Sequence, residues 1–254
     1  MIDVNVSIGT WPFRNLPCAD MDVLLPKLGH HGIESVWLGN LEGLFHKDIA
    51  GVNARLADQC AMVNGVEALA FGSVNLTLPN WEEDVRRCDE IHGMRGIRLH
   101  PNYHGYTLDD PKFKVLLQNA AERNLIVQLA VTMEDERMMH PLMRVEHVDT
   151  TPLVEVLAGI PNARVMLLNA FRAIRGKAID ALVDTGQVDY DIAWLEGTSG
   201  IESIRKQIPV EHLLLGTHSP LFYYESSLLK LSESPLSDTE LEAITTNNAR
   251  ALLA

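Results

Sequence analysis

In the stretch "IRLHPNYHGY", Arg98 and His100 stand two residues apart, with Tyr103, His104 and Tyr106 just beyond. Side chains two apart on an extended segment share a face. Arg98 and His100 would then present a fixed cation beside a group that titrates near neutral pH. A second histidine, His218, follows the apolar run in "LLLGTHSP". Asn169 closes "RVMLLN", and Asp3, Asn5 and Ser7 alternate with Ile2, Val4, Val6 and Ile8 in "IDVNVSI". A guanidinium to anchor an anion, imidazoles to move a proton, and amides and a hydroxyl to hydrogen-bond a carbonyl are parts suited to a small carboxylated or carbonyl compound.

Such groups act only if strands bring them together. Short apolar segments near 2–8, 33–39, 66–74, 94–100, 125–131, 163–169, 188–195 and 211–217 read as strands, each followed by a helix-like segment. In "DPKFKVLLQNAAERN", Asp110 is an N-cap and Pro111 sits at the first helical position. Eight strand–helix units in 254 residues are the pattern of a single α/β (β/α)₈ TIM barrel spanning 1–254. An open doubly wound sheet is the alternative, but no GxGxxG follows the first strand. Alternation turns Arg98 and His100 into the barrel and Ile97 and Leu99 toward the helices. The same logic turns Asp3, Asn5 and Ser7 inward. Active sites of such barrels sit at the C-terminal strand ends, where His100, Asn169 and His218 fall. The irregular piece at about 132–150 then forms a loop over the mouth.

Taken in order, "IDVNVSIGTWPF", "GIRLHPNYHGYTLDDPKF", "PNARVMLLNA", "LLLGTHSP" and "NNARALL" resemble the amidohydrolase-related family. These are TIM-barrel metal-dependent hydrolases with decarboxylase and lactonase cousins, and the resemblance runs nearly end to end. The family usually carries Asp-x-His-x-His-x-Gly in the first strand, a His closing the sixth and Gly-Ser/Thr-Asp-x-Pro in the eighth. The resemblance places its metal ligands on Asn5, Ser7, Ala130, Asn169 and His218, none of which keeps the family's residue. Zinc takes three or four His, Cys or carboxylate ligands. The expectation is therefore a scaffold without the usual divalent metal and with no cofactor. A new metal site of His100, His104 and His218 is the alternative.

The resemblance supplies the reaction menu: hydrolysis of a lactone or amide, or decarboxylation, on a small carboxylated compound and without a metal. In that reading His218 and His100 are catalytic, His218 moving a proton. Arg98, Asn5, Ser7, Asn169, Gln128, Tyr103, His104 and Trp11 contact substrate. Each has a plainer reading. Arg98 pairs with an internal carboxylate such as Asp3 or Glu196 instead of a ligand. Asn5 and Ser7 are core polar groups. His218 is a neutral, hydrogen-bonded ring, and His104 and Tyr106 only order their loop. Ser7 and His218 could also meet as a nucleophile pair. Glu134, Asp135 and Glu136 in "TMEDER" read as a solvated loop more readily than as mouth residues. A non-catalytic relative that kept the barrel as a ligand-binding or interaction module is the competing function.

Composition narrows the partners. Lys+Arg 21 against Asp+Glu 34 gives a net charge of −13, which argues against nucleic acid and anionic membrane. A local Arg can still hold an anionic small molecule in a cleft. Cys18, Cys60 and Cys88 are odd in number and widely spaced, as in a reduced, cytoplasmic protein. No basic, apolar leader and no spanning stretch is visible. A homodimer is the expected assembly if there is one.

Overall fold

The computed structural model describes residues 1–254. Its elements run β1 (Ile2–Ile8), α1 (Met21–His30), β2 (Ser35–Asn40), α2 (Ile49–Met62), β3 (Glu67–Ser73), α3 (Trp81–Glu90) and β4 (Gly96–Leu99). The short α4 (Pro101–His104) precedes α5 (Pro111–Glu122), β5 (Ile126–Ala130), α6 (Leu153–Ala158), β6 (Arg164–Leu168), α7 (Lys177–Val183) and β7 (Val188–Asp191). The chain ends in α8 (Gly200–Ile204), β8 (Leu213–Leu214), α9 (Tyr224–Glu233), α10 (Asp238–Glu242) and α11 (Asn248–Leu253).

All eight strands are parallel and pair in chain order. The ring closes where Val4 N–H donates to Leu215 O at 2.9 Å and Ser7 N–H to Ser219 O at 2.8 Å. The eighth strand is shorter than expected, since only Leu213 and Leu214 hold ladder geometry before the chain turns. The seventh stops at Asp191, and the turn beyond it is fastened by Lys230, whose Nζ donates to Ile192 O at 2.9 Å and Ala193 O at 2.5 Å.

Parallel strands covered on both faces read as nearly continuous apolar runs, and the two faces form two separate cores here. Val36, Leu38, Ile97, Leu99, Val127, Leu129, Val165 and Leu167 face the helices. Ile2, Val4, Trp37, Phe71, Ile126, Met166, Leu168 and Leu214 fill the barrel floor, with Trp37 stacked on Phe71 at 4.9 Å. The last helix closes the N-terminal end by packing Ala249, Leu252 and Leu253 against that floor. The helical stretch "DTELEAITTNNARALL" is interrupted by a π-type turn, Ala243–Asn247, and starts on a capping box between Ser237 and Glu240. Asp110 caps α5 by accepting from Lys112 N–H at 2.8 Å, with Pro111 in the first turn.

Simple alternation fails in β1. Its register against β2 shifts between Asp3 and Val6, as a β-bulge does. Asn5 and Ser7 face the barrel, but Asp3 points away from it and Ile2 and Val4 take the inner face. The expectation that Asp3 turns inward is corrected by this extra residue.

The register of β4 is as expected, and it depends on one glycine. A Cβ on Gly39 of β2 would lie 2.6 Å from Arg98 Nη1 and 2.9 Å from Cζ. The guanidinium is held by several bonds and cannot move aside. Gly39→Ala should therefore destabilise the fold by about 1–3 kcal/mol, the usual range for overpacking. Chemical denaturation checks this, and an unchanged midpoint would show that Arg98 has slack.

Candidate active site at the barrel mouth

Arg98 crosses the barrel interior, only 3% exposed. Its Nη1 donates to Val6 O at 2.8 Å and Ser7 Oγ at 3.0 Å, its Nη2 to Trp37 O at 3.0 Å, and its Nε to Gln128 Oε1 at 2.8 Å. Gln128 Nε2 in turn donates to Val4 O at 2.7 Å. The expected pairing with an internal carboxylate, Asp3 or Glu196, is corrected: all of these acceptors are neutral. Burial lowers the Arg98 pKa to about 10, against the pull of Asp191 and Asp3. These carbonyls lie around the β1–β2 register shift, and a planar five-donor group can serve several at once. Arg98, Ser7 and Gln128 are thus structural neighbours in one network, and Ser7 does not meet His218.

Above this layer lies an amide–imidazole network. Asn5 Nδ2 donates to Asn169 Oδ1 at 2.9 Å and to Asp191 Oδ2 at 2.5 Å. Asn169 N–H donates to Asp191 Oδ1 at 2.9 Å, while Asn169 Nδ2 donates to Thr132 O at 2.8 Å and faces His218 Nδ1 at 3.2 Å. His218 Nε2 lies 2.8 Å from Met133 O. A carbonyl can only accept, so Nε2 carries the proton and Nδ1 accepts from Asn169. His218 is thus a hydrogen-bonded ring tied to Asn169 and Met133 O and not to Ser7. Burial holds the His218 ring near a pKa of about 4, so it is neutral at neutral pH. Asn169 and His218 both take left-handed backbone conformations, at φ 58°. Such strain clusters where side chains must be aimed across a site.

His100 is different. It is 2% exposed, and its Nδ1 is buried with no partner. The Nε2 makes no hydrogen bond to the protein either. Burial, then the nearby His104, Arg98 and His218, push its pKa well below the ordinary histidine value. The His104 ring stands 6.0 Å away, tied through Nε2 to Gly43 O at 3.0 Å. It orders the loop and does not enter the mouth. Tyr106 packs in the outer core, not over the mouth.

A lid of apolar groups covers this layer. Trp11, Leu41, Leu44, Ala130, Met133 and Leu221 form one cluster, joined by Phe13, Phe45 and Tyr103. Trp11 meets Tyr103 edge-on at 6.1 Å and Phe45 at 5.7 Å. The connection after β5 lies across it. Glu134, read as solvated from sequence, is 3% exposed and bonds Arg14 Nε at 3.0 Å. Asp135 pairs with Arg172 at 2.7 Å, and Thr132 Oγ1 sits 2.7 Å from His147 Nδ1. Only Glu136 of the three remains exposed.

Two buried carboxyls set a pH dependence. On the helix side of β1, Asp3 Oδ1 accepts from Asn5 N–H at 3.1 Å and Thr217 N–H at 3.0 Å, and Oδ2 contacts Thr217 Oγ1 at 2.6 Å. Burial raises its pKa to about 7, and that of Asp191 to about 6. A carboxyl with a raised folded-state pKa stabilises the fold fully below its unfolded value and loses that contribution as pH rises through the folded value. For Asp3 the window runs from about 4 to about 7. Asn mimics the protonated acid, keeping Oδ1 and offering Thr217 a donor. Asp3→Asn should therefore match the wild type near pH 4 and become progressively more stable than it toward pH 8. Paired melts across that range test it, and a constant difference would place the Asp3 pKa elsewhere.

A scan of family models finds no match to this chain, and neither does a search of curated proteins. Solved structures do match. A 2,6-dihydroxybenzoate decarboxylase complexed with 2,6-dihydroxybenzoate superposes with a TM-score of 0.73 at 14% identity, over 99% of this chain and 98% of that one. A dihydroxybenzoic acid decarboxylase from Polaromonas sp. JS666, with bound manganese and 2-nitroresorcinol, gives 0.79 at 12% over 99% and 96%. A 5-carboxyvanillate decarboxylase from Novosphingobium aromaticivorans, also with bound manganese, gives 0.72 at 13% over 90% and 79%. These define the class of the molecule as a (β/α)₈ TIM barrel of the architecture seen in such decarboxylases, and they bear out the resemblance drawn from sequence at the level of the fold.

They also correct the expectation that no cofactor belongs to this scaffold. Two neighbours with this fold hold manganese. The residues of this chain do not themselves fit one: no group of three or more His, Cys, Asp or Glu could hold an ion. Both nitrogens of His218 are engaged, and His100, His104 and His218 do not converge as ligands. No helix is long and apolar enough to cross a membrane.

Sequence reasoning missed Asp191 and the Arg14–Glu134 pair. The alternation Asp189, Asp191 in "VDYD" carried a signal for the first, as acids on one face of an otherwise buried strand. Nothing local signals the second.

Proposed function

We propose that this chain is an enzyme acting on a small carboxylated compound, and that the reaction is decarboxylation. The observation that carries this is His100, a buried imidazole in the barrel mouth with neither ring nitrogen bonded to protein. A buried polar group without a partner is costly, and one aimed at the C-terminal face of a barrel stands where such enzymes work. The fold shared with decarboxylases of small aromatic acids supports the substrate class.

In decarboxylation the bond to the carboxyl carbon breaks, its electron pair stays on the substrate carbon, CO₂ leaves, and that carbon takes a proton. The apolar lid of Trp11, Phe45, Tyr103 and Leu221 excludes water. It thereby favours loss of a charged carboxylate as neutral CO₂. His100 is neutral in the free protein, and an entering carboxylate favours its protonation. The imidazolium then delivers the proton to the carbon. Asn5, Asn169 and His218 form the rigid floor against which the substrate is held, and opening of the Glu134 segment admits it.

A second reading rests on a specific observation. The hydrogen bonds of Asn5, Asn169 and His218 close among themselves, and the principal clefts of the surface are lined by other residues. That suits a non-catalytic relative using the barrel as a binding or interaction module. Incubation with 2,6-dihydroxybenzoate, 5-carboxyvanillate and related aromatic acids, with and without manganese, separates the two. Released CO₂ and uptake of solvent deuterium on the product ring support the enzyme. No CO₂ from any acid under either condition favours the module.

A further inference from the structure

Arg98 is engaged by neutral acceptors, so a cation that holds a ligand's carboxylate at the mouth has to come from elsewhere. Arg14 ends the stretch "TWPFR", whose Trp11 and Phe13 belong to the apolar lid. Its side chain is 33% exposed, and that of its partner Glu134 is 3% exposed. The pair is a single contact, Arg14 Nε to Glu134 Oε1 at 3.0 Å. Arg14 donates through Nε alone, which leaves the Nη1 and Nη2 edge of its guanidinium without a protein acceptor.

The pair lies over the polar layer of the mouth. Met133, next to Glu134, accepts from His218 Nε2 at 2.8 Å through its carbonyl. Burial lowers the His218 pKa, the Met133 bond opposes this, and the charges of Arg98 and Arg14 lower it further. Burial, and then the Glu134 charge, raise that of Tyr103. Glu134 belongs to the connection between β5 and α6, whose two ends are tied together. Val148 N–H donates to Val131 O at 3.0 Å, and Thr132 Oγ1 lies 2.7 Å from His147 Nδ1. A loop closed at its neck can move while the strands beneath keep their places. Lifting Glu134 frees Arg14, since Glu134 is its one carboxylate partner.

We propose that Arg14 anchors the carboxylate of the ligand, and that Glu134 holds that place in the free protein. This rests on the reading of the mouth as the site of a small carboxylate. It adds the residue that sets specificity for the acid and the internal group that the acid displaces. A guanidinium binds a carboxylate most strongly through two parallel N–H···O bonds. Glu134 makes one, and a ligand on the open edge makes two, which offsets release of Glu134. The exchange keeps charge balanced, because one carboxylate leaves Arg14 as another arrives. A neutral amide of the same shape makes no such exchange.

Calorimetric titration of the full chain with benzoate and benzamide tests this and needs no turnover. Benzoate should bind wild type saturably. Glu134→Gln removes the internal competitor and should tighten benzoate at least about tenfold, leaving it at least about tenfold tighter than benzamide. Arg14→Gln should weaken benzoate. A pair that only fastens the loop would shift both variants in the same direction, because either change loosens it. Arg14→Gln leaves a buried carboxylate unpaired, so the double variant Arg14→Gln/Glu134→Gln supplies the same comparison with no buried charge at the pair. It should bind benzoate at least about tenfold more weakly than Glu134→Gln and no better than benzamide. Absence of saturable benzoate binding to both wild type and Glu134→Gln overturns the proposal. So does a shift of the same sign in the two single variants, or a double variant that binds benzoate as tightly as Glu134→Gln. Opposite shifts with no CO₂ from any acid would keep Arg14 as the anchor and overturn the enzyme reading. Release of CO₂ with benzoate affinity indifferent to all three variants would do the reverse.

Discussion

His100→Gln should leave the barrel folded and lower decarboxylation by about 10²- to 10⁴-fold, the usual loss when a positioned proton-transfer group is removed. Glutamine matches the ring closely in length. The native nitrogens have no protein partner, so no bond that holds the fold is broken, and melting should stay within a few degrees of wild type. The pH profile supplies a readout that a structural role would not move. In the free protein His100 is held neutral by burial and by its basic neighbours. With a carboxylate bound, its protonated form is favoured, and the proton it delivers is the one that matters. Turnover at saturating substrate should then fall as pH rises through that bound-state value. The residual rate of His100→Gln should lack that fall. Wild-type turnover in the variant, or an identical pH profile, would remove His100 from the chemistry.

Arg98→Met should cost the fold a large part of its stability. The guanidinium satisfies Val6 O, Trp37 O, Ser7 Oγ and Gln128 Oε1 at once, deep in the barrel interior. Methionine fills similar volume but donates nothing. Leaving a buried acceptor orphaned costs about 1–3 kcal/mol, and at least two carbonyls are affected, so about 3 kcal/mol or more should go. For a chain of this size that is a drop of about 6–12 °C in melting temperature. Arg98→Lys keeps the charge but offers a single donor head where the native group spans two strands, and should recover only part of the loss. Thermal melts of the three proteins decide it. Equal stability of Arg98→Met and wild type would mean that these contacts contribute little. Arg98→Lys as poor as Arg98→Met would point to geometry alone as the determinant.

The two residues began as a pair on one strand face, and they end in different trades. Arg98 ties the barrel strands together, and the His100 Nδ1 is left without a protein partner. Nothing in the spacing of Arg98 and His100 could separate these roles. The difference comes from what lies across the barrel: the carbonyls of Val4, Val6 and Trp37 converge on Arg98, and no acceptor converges on His100.

The sequence by itself determined the eightfold strand–helix alternation, the order of the strands and the inward direction of Arg98 and His100. Those follow from local periodicity, because neighbouring residues on a strand must alternate between barrel and helices wherever the ladder is regular. The cap at Asp110 was legible for the same local reason. Only the tertiary structure decided the rest. One extra residue between Asp3 and Val6 moved Asp3 to the helix side, and a bulge has no signature in hydrophobic alternation until its partner strand is known. Asp191 meets Asn5 across 186 positions of chain, and Glu134 meets Arg14 across 120. Polar groups taken out of water must find partners, but which partner each finds is set by closure of the ring, which brings together side chains that no spacing along the chain relates.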